Sequence, residues 1–185
     1  VYKRQLEDAV KLAKGTWHQW AVITPKKHTI MSSASMPYNA IKRSDWTAHC
    51  QTLAQSSGVR IIDQEDWQAE DNSTVFDTRP PVVPDECILQ HFHGLEIKTN
   101  TPVFEANTAI LMDFRVDQSK GMHFIYLLPY STTEALVEST LFSTQLADEQ
   151  FYLSTIENYL AEHYQVEKYE ITPVSYTHLR AHETS

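Results

Sequence analysis

Positive charge is in short supply in this chain: 15 Lys and Arg stand against 24 Asp and Glu, a formal net charge of −9 over 185 residues. A nucleic-acid partner demands a basic footprint that releases counterions, so that class of partner is excluded. Cysteine is scarce as well. Cys50 and Cys87 are isolated, with no C-x-x-C spacing, which argues against a zinc site and a disulfide framework and fits a reducing cytoplasm. No apolar run approaches the ~20 residues that a spanning helix requires, so any attachment to a membrane is expected to be peripheral. Glycine occurs four times, each residue isolated, and no repeat, low-complexity tract or Gly/Ser linker interrupts the chain. With 42% hydrophobic residues and the length of one domain, the chain reads as folded throughout.

The ends read differently from the middle. Residues 1–5 are VYKRQ and residues 174–184 are VSYTHLRAHET. These are what the mosaic end of a transposase-based sequencing adaptor encodes when read on its two strands. The expectation is that residues 1–5 and 174–185 are adaptor-derived and pack on nothing, and that Leu6 to Pro173 is an internal piece of a longer protein. His178 and His182, although at helical spacing, are for that reason set aside as metal ligands.

Between the ends, Ser44 is placed to cap a helix over Asp45 to Ser56, with Asp45 in the first turn, a stripe of Trp46, Cys50, Leu53 and Ala54, and Gly58 at the C′ position. Val59 to Ile62 follow as a short strand, giving a βαβ-type element. A polar, proline-punctuated segment from Trp67 to Pro84 joins two regions, 6–84 and 85–173. From Cys87 the pattern changes. ILQHFHGLEIKT, TAILMDFRV, MHFIYLLPY and EALVESTLFS are β-rich runs with short turn-like connections, which imply an antiparallel meander. A helix over Asp148 to His163, striped by Tyr152, Ile156, Tyr159, Leu160 and His163, lies across it. The order is α+β.

Five motifs, VFDTRPP (75–81), QHFHGLEI (90–97), ILMDFRVDQ (110–118), FIYLLPYS (124–131) and ALVESTLFS (135–143), occur in the order seen in lycopene cyclases, and the chain from Tyr38 to about Tyr169 resembles that family. The resemblance implies a para-hydroxybenzoate hydroxylase-like fold, in which an antiparallel substrate-binding sheet is inserted into a Rossmann-like FAD-binding domain. On that reading, residues 6–84 are part of the FAD-binding domain and its connection, and 85–173 are the sheet with its helix. It implies reduced FAD as cofactor, NAD(P)H as reductant, a linear carotene such as lycopene as substrate, and peripheral contact with a membrane. The family's G-x-G-x-x-G, which seats a pyrophosphate at a helix N-terminus, has no counterpart here.

Cyclisation adds a proton to a terminal alkene, captures the cation with a neighbouring double bond and releases a proton. Glu138, in LVEST, matches the family's acidic motif, and an apolar pocket raises the pKa of such a carboxyl; without the resemblance, its residues read rather as a carboxylate on the solvent face of a strand. Asp113 and Arg115 share a strand face and form either a buried pair that positions Glu138 or the flavin, or an ordinary ion pair. Asp77 and Arg79 match a motif near the flavin, although Pro80 replaces its glycine. Phe92, Phe114, Phe124 and Tyr126 either line a polyene tunnel, with ring faces toward a carbocation, or fill the core. His91 and His93 share a face without a third ligand, and no metal is expected. Two other functions compete: a related flavin monooxygenase or prenyl reductase, which would consume NADPH stoichiometrically, and a non-catalytic carotenoid-binding module.

Overall fold

The computed structural model describes residues 8–62, 74–76, 87–172 and 182–183. The chain divides into two units, Val1–Ala13 with Ile41–Val83, and Lys14–Ala40 with Pro84–Ser185. The boundary expected near residue 84 therefore does not separate the sheet from everything before it, because Lys14–Ala40 belongs with the sheet.

In the first unit, α1 (Arg43–Ser56) begins one residue before Ser44. Ser44 lies inside the first turn, where its hydroxyl donates to Asp45 Oδ1 at 3.1 Å, and Lys42 is the N-cap. The helix ends as its glycine suggests. Gly58 takes φ +79°, and the amides of Gly58 and Val59 return to the carbonyls of Gln55 and Ala54, a Schellman closure that an L side chain would strain. The strand expected at 59–62 is not formed. Val59, Ile61 and Ile62 are exposed and enter no ladder among the described residues, and a lone apolar run without a partner strand cannot satisfy its backbone as β-structure.

The remaining elements are β1 (Ala13–Trp17), β2 (Gln19–Thr24), β3 (Lys27–Ser32), β4 (Tyr38–Ile41), β5 (Leu89–Lys98), β6 (Thr108–Asp113), β7 (Met122–Pro129), β8 (Glu134–Ser143), α2 (Glu149–Tyr164), β9 (Glu170–Ile171) and β10 (His182–Glu183), all in the second unit but for the end residues Ala13 and Ile41. β1 pairs with β4, and the larger sheet runs β10-β5-β8-β7-β6-β2-β3, with β9 also on β5. All four predicted β-rich runs are strands, but only β6, β7 and β8 form a meander. β5, first in sequence, pairs with β8, last in sequence, along their whole length from Leu89↔Ser143 to Lys98↔Glu134. The β2–β3 hairpin, absent from the sequence reading, turns at Pro25 and Lys26, where Thr24 Oγ1 accepts from the Lys27 amide at 3.0 Å; β2 then joins β6 in parallel.

One stretch expected to pack on nothing does make a contact. His182–Glu183 pair with Gln90 and Leu89 of β5, as expected of any extended segment beside an edge strand with free N–H and C=O groups. Tyr176 and Leu179 lie outside the described residues.

Alternation assigns the two faces of the sheet. On one face, Leu95, Ile97, Ile125, Leu127 and Val137 pack against Ile156, Tyr159 and Leu160 of α2. Asp148 caps that helix by accepting from the Phe151 amide at 2.8 Å, which satisfies one of the donors a helix start leaves free. The opposite face buries Trp17 and Leu128 with Tyr38, Tyr130 and Leu136 around them, and the Trp17 indole N–H donates to the Pro129 carbonyl at 3.0 Å. β7 is buried on both faces, as suits an apolar run in the middle of a covered sheet. No helix among the described residues is long and apolar enough to cross a membrane.

Candidate functional site

Three strands set the site. The ladders align Gly94 of β5, Glu138 of β8 and Tyr126 of β7 in one cross-strand row, and Phe92, Thr140 and Phe124 in the next. Residues two apart on a strand share a face, so these six side-chain positions look the same way, away from α2. Phe124 is 2% exposed. Its ring meets Phe114 and Tyr126 edge-on at 5.4 Å and stacks on Phe142 at 6.2 Å.

Glu138 therefore stands between Gly94 and Tyr126, one row from Phe92 and Phe124. Burial pushes its pKa up to about 7, against a smaller opposing pull from Thr140, whose hydroxyl donates to Oε1 at 3.0 Å. The same burial raises Tyr126 and Tyr38, with the Glu138 charge adding to each. The carboxyl exchanges its proton near neutral pH, which is what a general acid needs.

Of the residues singled out from sequence, Phe92, Phe124 and Tyr126 share the face of Glu138, and Phe114 lies against Phe124. The structure does not bring Asp113 to them. Asp113 ends β6 in register with Ile125, on the α2 face, and is fully buried. Arg115, just beyond the strand, grips it with Nε to Oδ1 at 2.9 Å and Nη2 to Oδ2 at 2.6 Å, and Tyr159 donates to Oδ2 at 2.8 Å. The pair expected from alternate spacing exists, yet it points away from Glu138 and neither positions that carboxyl nor faces the aromatic row. Asp77 and Arg79 lie outside the described residues.

His91 and His93 are also on the α2 face. His91 is held by the Tyr152 hydroxyl and by Ser143 Oγ at 3.0 Å, and His123, across the sheet, by Ser139 Oγ and the Asp117 carbonyl at 2.8 Å each. Burial lowers the pKa of all three histidines, which favours neutral rings that join strands to helix. No group of three or more His, Cys, Asp or Glu side chains among the described residues is arranged to hold a metal ion. A cleft of about 600 Å³ opens between the β2–β3 hairpin and the end of α2, lined by Lys27, Ile30, Arg115 and His163 among others. Its lining includes Glu105 but neither Glu138 nor the aromatic row.

Gly94, Thr140 and Tyr38 escaped the sequence reading. Thr140 was legible, since a hydroxyl two residues past an acid on a strand shares its face. Tyr38 was not, because it arrives through β4.

The family described as lycopene cyclase protein matches residues 2–173 of the chain. A lycopene beta-cyclase from Paracoccus sp. (strain N81106 / MBIC 01143) is 44% identical over 55 residues, which is 30% of this chain and 14% of that relative's length.

Proposed function

This chain belongs to the lycopene cyclase family, and we propose that it serves the acid-catalysed, non-redox closure of the linear ends of lycopene into β-ionone rings, a lycopene β-cyclase isomerase reaction in carotenoid biosynthesis. The observation that carries this reading is a carboxyl with a pKa of about 7 set between Gly94 and Tyr126, one row from Phe92 and Phe124. Protonating an unactivated alkene needs an acid that still holds its proton at neutral pH. Glu138 gives that proton to the terminal double bond, the tertiary cation is attacked by the neighbouring double bond to form the ring bond, and the loss of a proton restores neutrality. No electrons leave the substrate. Phe92, Phe114, Phe124 and Tyr126 supply ring faces that attract the developing positive charge and an apolar surface for a polyene.

The relative's name supports lycopene as the substrate. Because that molecule is wholly apolar, we place the reaction at a membrane surface in the cytoplasm, by peripheral contact. The family reading also carries reduced FAD, reduced by NAD(P)H, and a Rossmann-like FAD-binding domain around the sheet. The residues present do not fit a dinucleotide cradle: Gly15, Gly94 and Gly121 sit in or beside strands, Gly58 closes a helix, and none opens a helix N-terminus. No step above passes through the flavin.

Replacing Glu138 by Gln keeps shape and hydrogen bonding but removes the transferable proton. In lycopene-accumulating cells expressing the gene that encodes this chain, β-carotene formation should fall by ~10²–10⁴-fold, the usual loss with a general acid, and the cells should stay red. Near-normal β-carotene from that variant sinks the assignment.

A further inference from the structure

We infer that Gly94 and Thr140 position the Glu138 carboxyl, Thr140 by fixing which oxygen carries the proton and Gly94 by keeping open the side on which an alkene meets it. The inference rests on Glu138 being the acid.

Thr140 is fully buried, and its hydroxyl hydrogen goes to Glu138 Oε1 at 3.0 Å. A buried hydroxyl that gave up this acceptor would be left unsatisfied, at a cost comparable to a lost hydrogen bond. Oε1 is therefore the acceptor oxygen, and in the neutral acid the proton resides on Oε2. That oxygen leans across the ladder over Gly94. A Cβ built on Gly94 would lie 3.4 Å from Oε2, and equally 3.4 Å from the Cβ and Cγ of Glu138.

The backbone does not ask for glycine at this position. Gly58 and Gly121 take positive φ, whereas Gly94 does not, and glycine in a strand interior weakens the strand. What the missing side chain leaves beside the acidic oxygen is the space of a Cβ at ordinary contact distance. Along the same face of β5, the positions flanking Gly94 are Phe92 and Glu96. The titratable groups facing Glu138 are Tyr126 from β7 and Tyr38 from β4; Glu96 of β5 is ion-paired with Lys14 of β1. Of the hydrogen bonds described for this carboxyl, the one from Thr140 alone distinguishes its two oxygens. The terminal double bond of the polyene is thus seated over Gly94, against Oε2, with Phe92 beside it.

The test compares Gly94→Val, Gly94→Ala, Thr140→Val and Thr140→Ser, with Glu138→Gln as the reference. The protonated Glu138 C=O stretch is followed by infrared titration of the purified chain, after subtraction of Glu138→Gln, and carotene formation is measured in lycopene-accumulating cells expressing the gene. Thr140→Val should raise the Glu138 midpoint by about one pH unit, the worth of one hydrogen bond to the charged form, and Thr140→Ser should restore it. A midpoint that stays put in Thr140→Val overturns the role of Thr140, since a residue that merely packs would change stability alone. Gly94→Val should cut β-carotene by about 10²-fold, the effect of a reacting group displaced by an ångström, while Glu138 still titrates. Gly94→Ala, whose Cβ makes only ordinary contact, should fold normally and lose a few-fold; it decides the question if the valine variant does not fold. Wild-type product from both Gly94 variants overturns the seat. Should Glu138→Gln be inactive while Gly94→Val and Thr140→Val behave as wild type, this inference alone falls; an active Glu138→Gln removes the acid assignment itself.

Discussion

The Tyr159 hydroxyl donates to Asp113 Oδ2 at 2.8 Å, tying the middle of α2 to the last residue of β6. Arg115 completes the arrangement with a forked contact to both carboxylate oxygens. Burial alone would raise the pKa of Asp113, but the hydrogen bonds from Arg115 and Tyr159 outweigh it and hold the carboxyl below the usual carboxylate range. The two faces of the sheet thus carry carboxyls pushed in opposite directions: Asp113 toward the charged form and Glu138 toward the neutral one.

Asp113→Ala should destabilise the sheet unit by about 3 kcal/mol, the low end for breaking a buried pair, because Arg115 is 34% exposed and can turn to water. Tyr159→Phe, which removes one donor and leaves the pair, should cost about 1–2 kcal/mol. The folded pKa of Asp113 is depressed, so its contribution is fully present above the unfolded carboxylate pKa of about 4 and is lost as pH falls through the folded value. Urea midpoints at pH 7 and pH 3 check both points; wild type should keep its advantage over Asp113→Ala at the higher pH and lose part of it at the lower.

Gly121 turns the chain into β7 at φ +146°, and a Cβ there would lie 2.2 Å from the Phe142 carbonyl oxygen. Neither the φ nor the clash can be relieved by a rotamer. Gly121→Ala should cost about 1–3 kcal/mol as the turn shifts against β8, measured by thermal or urea unfolding. A variant as stable as wild type would show that the turn is free to move.

Phe124 and Phe92 flank the same threonine, yet they differ in burial. Phe124 is 2% exposed and contacts three rings, so Phe124→Ala should lose about 3–5 kcal/mol of stability. Phe92 is only half-buried. Phe92→Ala should leave unfolding within about 2 kcal/mol of wild type, a partly buried ring costing less than a core one, but lower β-carotene formation roughly tenfold by withdrawing a ring face from the cation. Full product formation by Phe92→Ala would take that ring out of the proposed substrate surface.

Much of the sheet was legible because period-2 runs such as EALVESTLFS state their own geometry: the residues at 135, 137, 139 and 141 are all buried, as alternation requires. The helix over Glu149–Tyr164 was legible from its stripe and from Asp148. Pairing order was not, since nothing local in β5 says that it will meet β8 rather than β6. The β2–β3 hairpin was missed because its turn, Pro25–Lys26, carries none of the glycine or asparagine signals that mark two-residue hairpins. At the site, Glu138 was singled out by its match to the family's acidic motif and not by strand position, and the misplacing of Asp113 beside it has a physical source. Spacing fixes that Asp113 and Arg115 meet, but which face they turn to depends on register with β7, where Asp113 stands opposite Ile125 and not beside Tyr126.

Glu138 should trade stability for its proton. Its folded pKa, about 7, lies above the ordinary 4.5, so the folded chain binds the proton more tightly than the unfolded chain. The sign follows from linkage: below about pH 4 both states are protonated and Glu138 costs nothing; from there to about pH 7 the unfolded state ionises while the folded state resists, and the penalty grows; above pH 7 it is complete. The difference of about 2.5 pH units corresponds to about 3 kcal/mol at most. Glu138→Gln is neutral at every pH and still offers an oxygen to the Thr140 hydroxyl. It should therefore match wild type in urea unfolding at pH 4 and exceed it at pH 8, by up to about 3 kcal/mol. Equal stability of the two proteins at pH 8 would mean that the carboxyl ionises in the fold as easily as in water, and such a group could not keep a proton for an alkene at neutral pH.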